Sequence, residues 1–195
     1  TSIAFVSFQG LRESDTSDLL PVILPFAETD QVFKDPFFGG QVRVQANTAV
    51  LMRDDNPASA AFEGNDARIS ASGTWRRDMI VGPGLLVSPF AQARADLFSV
   101  ESAPDQYETF GRGLGYAGVE VSWPFVRPGE HFDAIIEPVA MAAYATENTD
   151  ADRIVNEDSL AFELDDSNLF RPNAAPNYDL WEPGGRLSLG VRATA

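Results

Sequence analysis

Polar and apolar residues alternate along much of the chain, and a period of two is typical of β-strands with one polar and one apolar face. The alternation is strictest over residues 186–194, where Leu187, Leu189 and Val191 lie between polar or small residues. It recurs over residues 41–52, 67–79, 85–98, 112–125 and 131–144. Apolar runs at 2–11 and 19–26 predict two further strands, so the sequence predicts an all-β fold with about eight long antiparallel strands.

Two architectures contain strands of this kind. In a soluble sandwich or small barrel the apolar face forms the core, whereas in a transmembrane barrel it contacts lipid and the polar face lines the lumen. The strands, of about 10–14 residues, are longer than usual and suited to crossing a bilayer. Their apolar faces are rich in Ala, Gly and Val, and aromatic residues lie towards strand ends, at Trp75, Trp123, Phe125 and Tyr144. The pattern favours a segment of an antiparallel transmembrane β-barrel.

Prolines, glycines and acidic residues mark the connections between the strands. Short turns are predicted at residues 82–84 and 127–130, and long loops at 54–66, 101–108 and 145–183. Outer-membrane barrels have short periplasmic turns and long outer loops, so we expect the three long loops on the outside. The longest loop is acidic, and its aromatic residues predict order rather than disorder.

Three prolines fall within or beside predicted strands, where each removes a hydrogen-bond donor from the ladder. Pro21 and Pro25 predict an edge, a strand entry or a turn, with the strand beginning near Val22 or after Pro25. Pro138 predicts a bulge or an edge strand.

Charge and composition exclude several classes of protein. A formal net charge of −15 argues against nucleic-acid binding through phosphate contacts and against an electrostatic anchor on anionic lipid. Cysteine is absent, which excludes disulfides and thiol chemistry within this chain. No apolar run reaches the length of a membrane-spanning helix. The start at Thr1 predicts a fragment or a processed chain.

No pattern of residues predicts catalysis or a cofactor. Gly113, Gly115 and Gly118 match the letters of a G-x-G-x-x-G motif, but a strand follows where the dinucleotide motif requires a helix. Small residues that let a neighbour approach closely are the better interpretation. His131 is the only histidine, no G-x-S-x-G nucleophile motif is present, and paired carboxylates are uninformative in so acidic a chain.

The long loop carries the most specific pattern in the chain. Its motif residues are Asn156, Asp158, Asp165, Asp166, Asn168, Phe170 and Asp179. Together with the flanking segments 136–138 and 185–190, this motif resembles the outer-membrane lipopolysaccharide assembly protein family, LptD or organic solvent tolerance protein (OstA). Segments 94–96 and 8–12 are also similar. The resemblance covers most of the chain and is specific from about residue 131 to 192.

The resemblance implies that residues 1–195 are part of a single β-barrel domain in the Gram-negative outer membrane. The family's periplasmic jellyroll and further strands are expected outside this segment, and the cysteines of some members are missing. The implied function is transport of lipopolysaccharide and its insertion into the outer leaflet, with this chain as barrel wall and lid. The implied partners are lipopolysaccharide, a lipoprotein plug of the LptE type, the periplasmic transport bridge and membrane lipid. A small outer-membrane pore or adhesin, and a soluble lipocalin-like binding module, remain open alternatives.

Arginines on the predicted polar face are the candidate contacts to the phosphorylated headgroup, because guanidinium pairs well with phosphate. They are Arg43, Arg68, Arg76, Arg94, Arg112, Arg186 and Arg192. The alternative is structural neutralisation by four carboxylates, those of Asp78, Asp96, Glu120 and Glu137.

The acidic loop has a similar pair of interpretations. Its carboxylates, at Glu157, Asp158, Glu163, Asp165 and Asp166, are a possible oxygen ligand set for Ca²⁺ or Mg²⁺. The spacing is not that of an EF-hand and lacks its central glycine, so a solvated loop is preferred, and no metal site is predicted.

Overall fold

The computed structural model describes residues 1–7, 22–52, 65–103, 106–129, 134–148, 151–154, 168–173 and 178–194. These residues form β1 (Ser2–Ser7), β2 (Val22–Lys34), β3 (Gln41–Met52), β4 (Asp66–Arg76), β5 (Met79–Val81), β6 (Leu85–Ala103), β7 (Gln106–Ser122), β8 (Phe125–Arg127), β9 (Ala134–Ala145) and β10 (Gly184–Thr194). The described part of the chain contains one short 3₁₀ helix, Ala151–Arg153. No helix in these ranges has the length and apolarity needed to cross a membrane.

The strands form one sheet, in the order β1-β2-β3-β4-β6-β7-β9-β10, with β5 paired to β6 and β8 paired to β9. The β1–β2, β7–β9 and β9–β10 registers are antiparallel. Over the described residues, β1 and β10 each pair with one neighbour. The prediction of an all-β antiparallel fold is confirmed.

The chain forms two compact units, and several strands contribute residues to both of them. The first comprises residues 1–31, 44–73 and 94–113, and the second comprises residues 32–43, 74–93 and 114–195. The second unit contains the turn between β2 and β3, the short strands β5 and β8, and the β9–β10 pair.

Prolines on neighbouring strands explain why β4 and β7 are interrupted. The Arg77 N–H donates to the Pro89 carbonyl oxygen over 3.1 Å, and the Trp123 N–H donates to that of Pro138, also over 3.1 Å. A proline has no N–H with which to return the second bond of such a pair. The strand therefore breaks opposite each proline and resumes in the same register, as β5 and β8.

The prediction of a bulge or edge at Pro138 is wrong. β9 lies between β7 and β10, and the β9–β10 register runs without a shift from Gly184↔Ala145 to Thr194↔Ile135. The backbone nitrogen of Pro138, which has no hydrogen to donate, faces the β7–β8 break. The hydrogen bonds between β9 and β10 are therefore unaffected by the proline.

The predicted start of β2 near Val22 is confirmed. Around Pro25, the β1–β2 register shifts from Ala4↔Phe26 to Val6↔Ile23, so two residues of β2 oppose one of β1. Proline is tolerated in such a bulge because the extra residue is unpaired. The segment is not an edge, since β2 lies between β1 and β3.

The prediction of a long loop over residues 101–108 is wrong. β6 continues to Ala103, and β7 begins at Gln106. Phe98 and Phe110 stack across the two strands, with ring centroids 5.3 Å apart. This contact extends the hairpin beyond the point where acidic residues predict its end.

The sheet buries charged side chains on one face and exposes large apolar side chains on the other, the reverse of what is usual in a soluble protein. Even-numbered positions of β4, β6, β7 and β10 form what we call the polar face, which includes buried Arg68, Arg94 and Arg112. The opposite, aliphatic face exposes large apolar side chains, among them Ile69, Leu97, Leu187, Leu189 and Val191. In the described residues, the predicted apolar faces therefore do not meet in a sealed core.

Candidate functional site: the polar face of the sheet

A buried ion cluster occupies the polar face of the first unit. Arg94 and Asp96 lie two residues apart on β6, so their side chains share a face. The Asp96 carboxylate accepts a hydrogen bond from Arg94 Nε at 2.7 Å and another from Arg112 Nε at 2.7 Å. The side chains of Arg94, Asp96 and Arg112 are 5%, 0% and 1% exposed. One buried carboxylate thus accepts hydrogen bonds from two buried guanidinium groups.

Aromatic rings extend this cluster along the same face. The Arg112 guanidinium carbon lies 5.0 Å from the centroid of the Phe98 ring, which stacks on Phe110. A cation beside the face of a ring is electrostatically favourable, most of all where water is excluded. The sequence analysis did not single out Phe98 or Phe110, although their even positions on β6 and β7 place them on the polar face.

The polar face continues across β2, β3 and β4 of the first unit. Arg68 Nη2 donates to Asn47 Oδ1 at 3.4 Å, and both side chains are buried. Gln45 Nε2 donates to Asp30 Oδ2, also at 3.4 Å. Arg43 is exposed. Of the predicted arginines, Arg68, Arg94 and Arg112 are therefore buried in polar contacts.

The arginines of the second unit are more accessible. Arg76 lies 3.0 Å from Asp78 and 3.5 Å from Glu120, and its side chain is 41% exposed. Arg192 lies 3.7 Å from Glu137. With the Asp96 cluster, all four predicted carboxylate partners are confirmed.

Arg186 has a partner that the sequence analysis missed. Its Nη1 donates to Glu182 Oε2 at 2.8 Å, across the junction between the long loop and β10. The two residues are close in sequence. However, the strand pattern begins only at Arg186, so it does not predict on which side of the sheet the Glu182 side chain lies.

The long connection between β9 and β10 folds back onto the polar face of the second unit. Trp181 is buried, its Nε1 donates to the Thr146 carbonyl oxygen at 2.8 Å, and its ring stacks on Tyr116 with centroids 6.0 Å apart. Leu114 and Ala145 complete this small core.

A second contact attaches an earlier part of the same connection to β10. Ser188 Oγ donates to the Leu169 carbonyl oxygen at 2.7 Å. The Phe170 ring fits against Gly190, where a Cβ would lie 3.0 Å from its Cζ, and Arg192 lies 5.3 Å from the ring centroid. We call residues 168–173 and 178–182 the strap, because they cover the polar face of β10.

The G-x-G-x-x-G letters fall within β7, so a dinucleotide loop is excluded. At Gly118, a Cβ would lie 2.4 Å from the Ala142 carbonyl oxygen and 2.7 Å from Phe90 Cζ. Phe90 in turn packs edge-on against Tyr116. The predicted close approach of a neighbour is confirmed at this glycine.

The family comparison agrees with this arrangement. A family model described as LptD, LPS transport system D, matches residues 1–195. The chain belongs to the LptD family. Its general function is therefore lipopolysaccharide transport, in a family of outer-membrane transport proteins rather than enzymes. A search of curated proteins found no match.

The loop motif that resembles LptD is described only in part. Within the strap, Asn168 and Asp179 are buried and Phe170 is half-buried. Four motif residues lie outside the described residues, namely Asn156, Asp158, Asp165 and Asp166. The other acidic candidates, Glu157 and Glu163, and the single histidine, His131, also lie outside them. The described residues contain no group of three or more His, Asp or Glu side chains placed to hold a metal ion.

Proposed function

We propose that residues 1–195 form part of a single transmembrane β-barrel domain that transports lipopolysaccharide across the outer membrane. The polar face would line an aqueous lumen, and the aliphatic face would contact lipid. One observation carries this proposal: buried charges share one side of the strands, while Leu, Ile and Val are exposed on the other. Such a distribution is unfavourable in water, where exposed apolar patches promote association, and favourable in a bilayer.

The edges of the sheet support the same proposal. Over the described residues, β1 and β10 each pair on one side. A backbone N–H or C=O group without a hydrogen-bond partner in hydrocarbon costs several kcal/mol, roughly as much as any buried amide that lacks a partner. A membrane location therefore requires both edges to be paired, with each other or with further strands, so that the barrel is closed.

The accessible arginines are the proposed contacts to the lipopolysaccharide headgroup. Arg43 is exposed, and Arg76 and Arg186 retain partly exposed side chains, at 41% and 19%. Guanidinium groups pair with phosphate through two parallel hydrogen bonds. Arg94 and Arg112 are committed to Asp96, so we assign them, with buried Arg68, to stabilising the wall.

The strap is the proposed lid. It covers the polar face of β10 through Ser188 and Gly190, and the face of β7 through Tyr116. We propose that residues 146–183 and the loop at 54–66 lie on the cell exterior. A lipoprotein plug of the LptE type and the periplasmic bridge are the proposed partners.

Two neighbouring residues on opposite faces of β4 provide the test. Ser72 is half-buried on the polar face, and Ala71 is exposed on the aliphatic face. We would place a photocrosslinking amino acid at each position in the full-length protein in cells. Position 72 should capture lipopolysaccharide or a luminal lipoprotein, and position 71 should capture phospholipid. The reverse pattern, or capture of soluble proteins at position 71, would contradict the proposed orientation.

A further inference from the structure

The aliphatic face of the second unit contains a groove that runs along β9. Its floor is made of small side chains and a flat proline, because exposed Pro138, half-buried Ala140 and exposed Ala142 follow one another on this face of β9. The larger exposed residues Ile136 and Tyr144 lie at the two ends of this floor. The strands on either side carry larger residues in register with this floor. The walls are Val119 and Val121 on β7 with Trp123 in the break between β7 and β8, and Leu187, Leu189 and Val191 on β10.

The register fixes the width of the groove. Ala140 pairs with Leu189 on one side and with Val121 on the other. The two walls are therefore two strand spacings apart, roughly 9–10 Å between backbones. A shallow, open concavity of about 520 Å³ lies over the Pro138–Ala140 part of the floor, and Leu85 and Trp123 are among the residues that line it. Volumes of this order accommodate small ligands.

The chemistry of the groove selects an apolar, unbranched occupant. Its wall residues Leu189 and Val191 are 68% and 66% exposed, and the lining is mostly apolar, with Ser122 as its one polar side chain. A sugar or a peptide backbone would leave hydrogen-bonding groups unsatisfied there. A hydrocarbon chain lying parallel to β9 makes contacts with both walls and the floor without that cost.

The position of the groove along the strands indicates which lipid supplies the chain. Trp123 and Phe125 form a ring pair with centroids 5.1 Å apart at one end of the groove, next to the short turn that follows β8. Aromatic residues of barrels concentrate at the membrane interface, and short turns lie on the periplasmic side. The groove thus starts at the headgroup level of the leaflet that faces the periplasm.

We propose that this groove is a binding site for one acyl chain of a glycerophospholipid, with Trp123 beside its headgroup. The inference rests on the proposed membrane orientation of the aliphatic face. The small side chains of β9 leave the space that the chain fills, and the bound lipid covers the outer surface where β7 and β8 are interrupted.

A photoactivatable phospholipid tests the site in the full-length protein in nanodiscs. The phospholipid carries a diazirine on one acyl chain, and crosslinked peptides are mapped by mass spectrometry. We expect crosslinks concentrated on Val121, Ala140 and Leu189. Ala140→Leu fills the floor and should abolish this concentration. Ala95→Leu, at an exposed alanine on the aliphatic face of β6 in the first unit, is the matched control and should leave it unchanged.

The possible results separate the groove from the barrel. Crosslinks spread evenly over the aliphatic face, at Ile69 and Leu97 as much as at Leu189, would overturn the groove and leave the orientation intact. An absence of crosslinks from the whole aliphatic face would overturn both. Preferential labelling of the groove by a diazirine-bearing lipid A, in place of the phospholipid, would overturn the assignment to a phospholipid.

Discussion

Asp96 is the side chain on which the buried charges of the polar face depend. Its carboxylate is fully buried between Arg94 and Arg112. Asp96→Asn would replace the carboxylate that accepts a hydrogen bond from each of the two buried guanidinium groups by a neutral amide. Removing one partner from a buried ion pair typically costs about 3–5 kcal/mol, and we expect a loss of that order in the free energy of unfolding. The measurement is urea-dependent loss of the folded, faster-migrating band of the full-length protein on unheated gels.

Two controls show whether burial causes this effect. Asp78→Asn also removes a partner of an arginine, but the Asp78 side chain is 65% exposed, so a change within about 1 kcal/mol is expected. Replacing the whole cluster by Arg94→Met, Asp96→Leu and Arg112→Met removes all three buried charges together and should recover most of the stability. Equal losses for Asp96→Asn and Asp78→Asn would show that the cluster is not desolvated.

Gly118 permits the closest packing on β7. An added Cβ would overlap the Ala142 carbonyl oxygen and the edge of the Phe90 ring. Backbone cannot move aside as a flexible side chain can, so Gly118→Ala should destabilise the fold by about 1–3 kcal/mol. Gly113→Ala on the same strand is the matched control, because no atom lies within 4 Å of its added Cβ. The same gel assay compares the two variants, and a more harmful Gly113→Ala would contradict this packing.

At the scale of elements, the strap is held by one buried tryptophan. Trp181 stacks on Tyr116 and donates to the Thr146 carbonyl. Trp181→Ala removes both interactions, and we expect faster proteolytic cleavage within residues 146–183 of the full-length protein in nanodiscs. Trp181→Phe keeps a smaller ring that can stack on Tyr116 and loses the hydrogen bond, so its cleavage rate should be intermediate.

Trp123→Phe is the control for this experiment, because Trp123 lies on the aliphatic face and away from the strap. Its cleavage rate should match that of the parent. If Trp181→Ala were cleaved no faster than the parent, the strap would be held by its other contacts, at Ser188 and Gly190, and Trp181 would not be its anchor.

The strands could be predicted from sequence because each carries its own period. Whether a residue number is odd or even within a strand already indicates its face, as it does for Arg94 and Asp96 or for Leu187 and Leu189. The same rule identified the carboxylates that form ion pairs with the arginines. The hairpin formed by β6 and β7 was predicted too short, since Phe98 and Phe110 stabilise it through a contact between strands. No single-strand pattern contains that information.

The strap was predicted as an ordered loop but not placed. Its contacts, Trp181 with Tyr116 and Leu169 with Ser188, join positions far apart in sequence and follow no period. The apolar residues of the polar face were likewise missed, because Val139 and Met141 on β9 interrupt the expected polar alternation. Both are buried. Met141 is in register with Glu120 and Ser188, and Val139 with Ser122 and Gly190.

At the scale of the molecule, a lipid environment and an aqueous one make opposite predictions for the aliphatic face. Leu97 is 51% exposed near the middle of β6. An exposed residue in water usually tolerates substitution within about 0.5 kcal/mol. On the lipid face of a barrel, an arginine near the bilayer midplane costs roughly 2–4 kcal/mol, and one near the interface roughly 0–1 kcal/mol.

We therefore expect Leu97→Arg to destabilise the full-length protein in lipid vesicles by about 2–4 kcal/mol. Val81→Arg is the matched control, since Val81 is 49% exposed on the aliphatic face, in register with Leu85 and beside the short turn at residues 82–84, and should lie near the interface, where the loss is about 0–1 kcal/mol. Urea titration of the folded fraction measures both. A depth-dependent loss requires hydrocarbon around β6, whereas two neutral substitutions would mean that water surrounds the aliphatic face and that the barrel orientation is wrong.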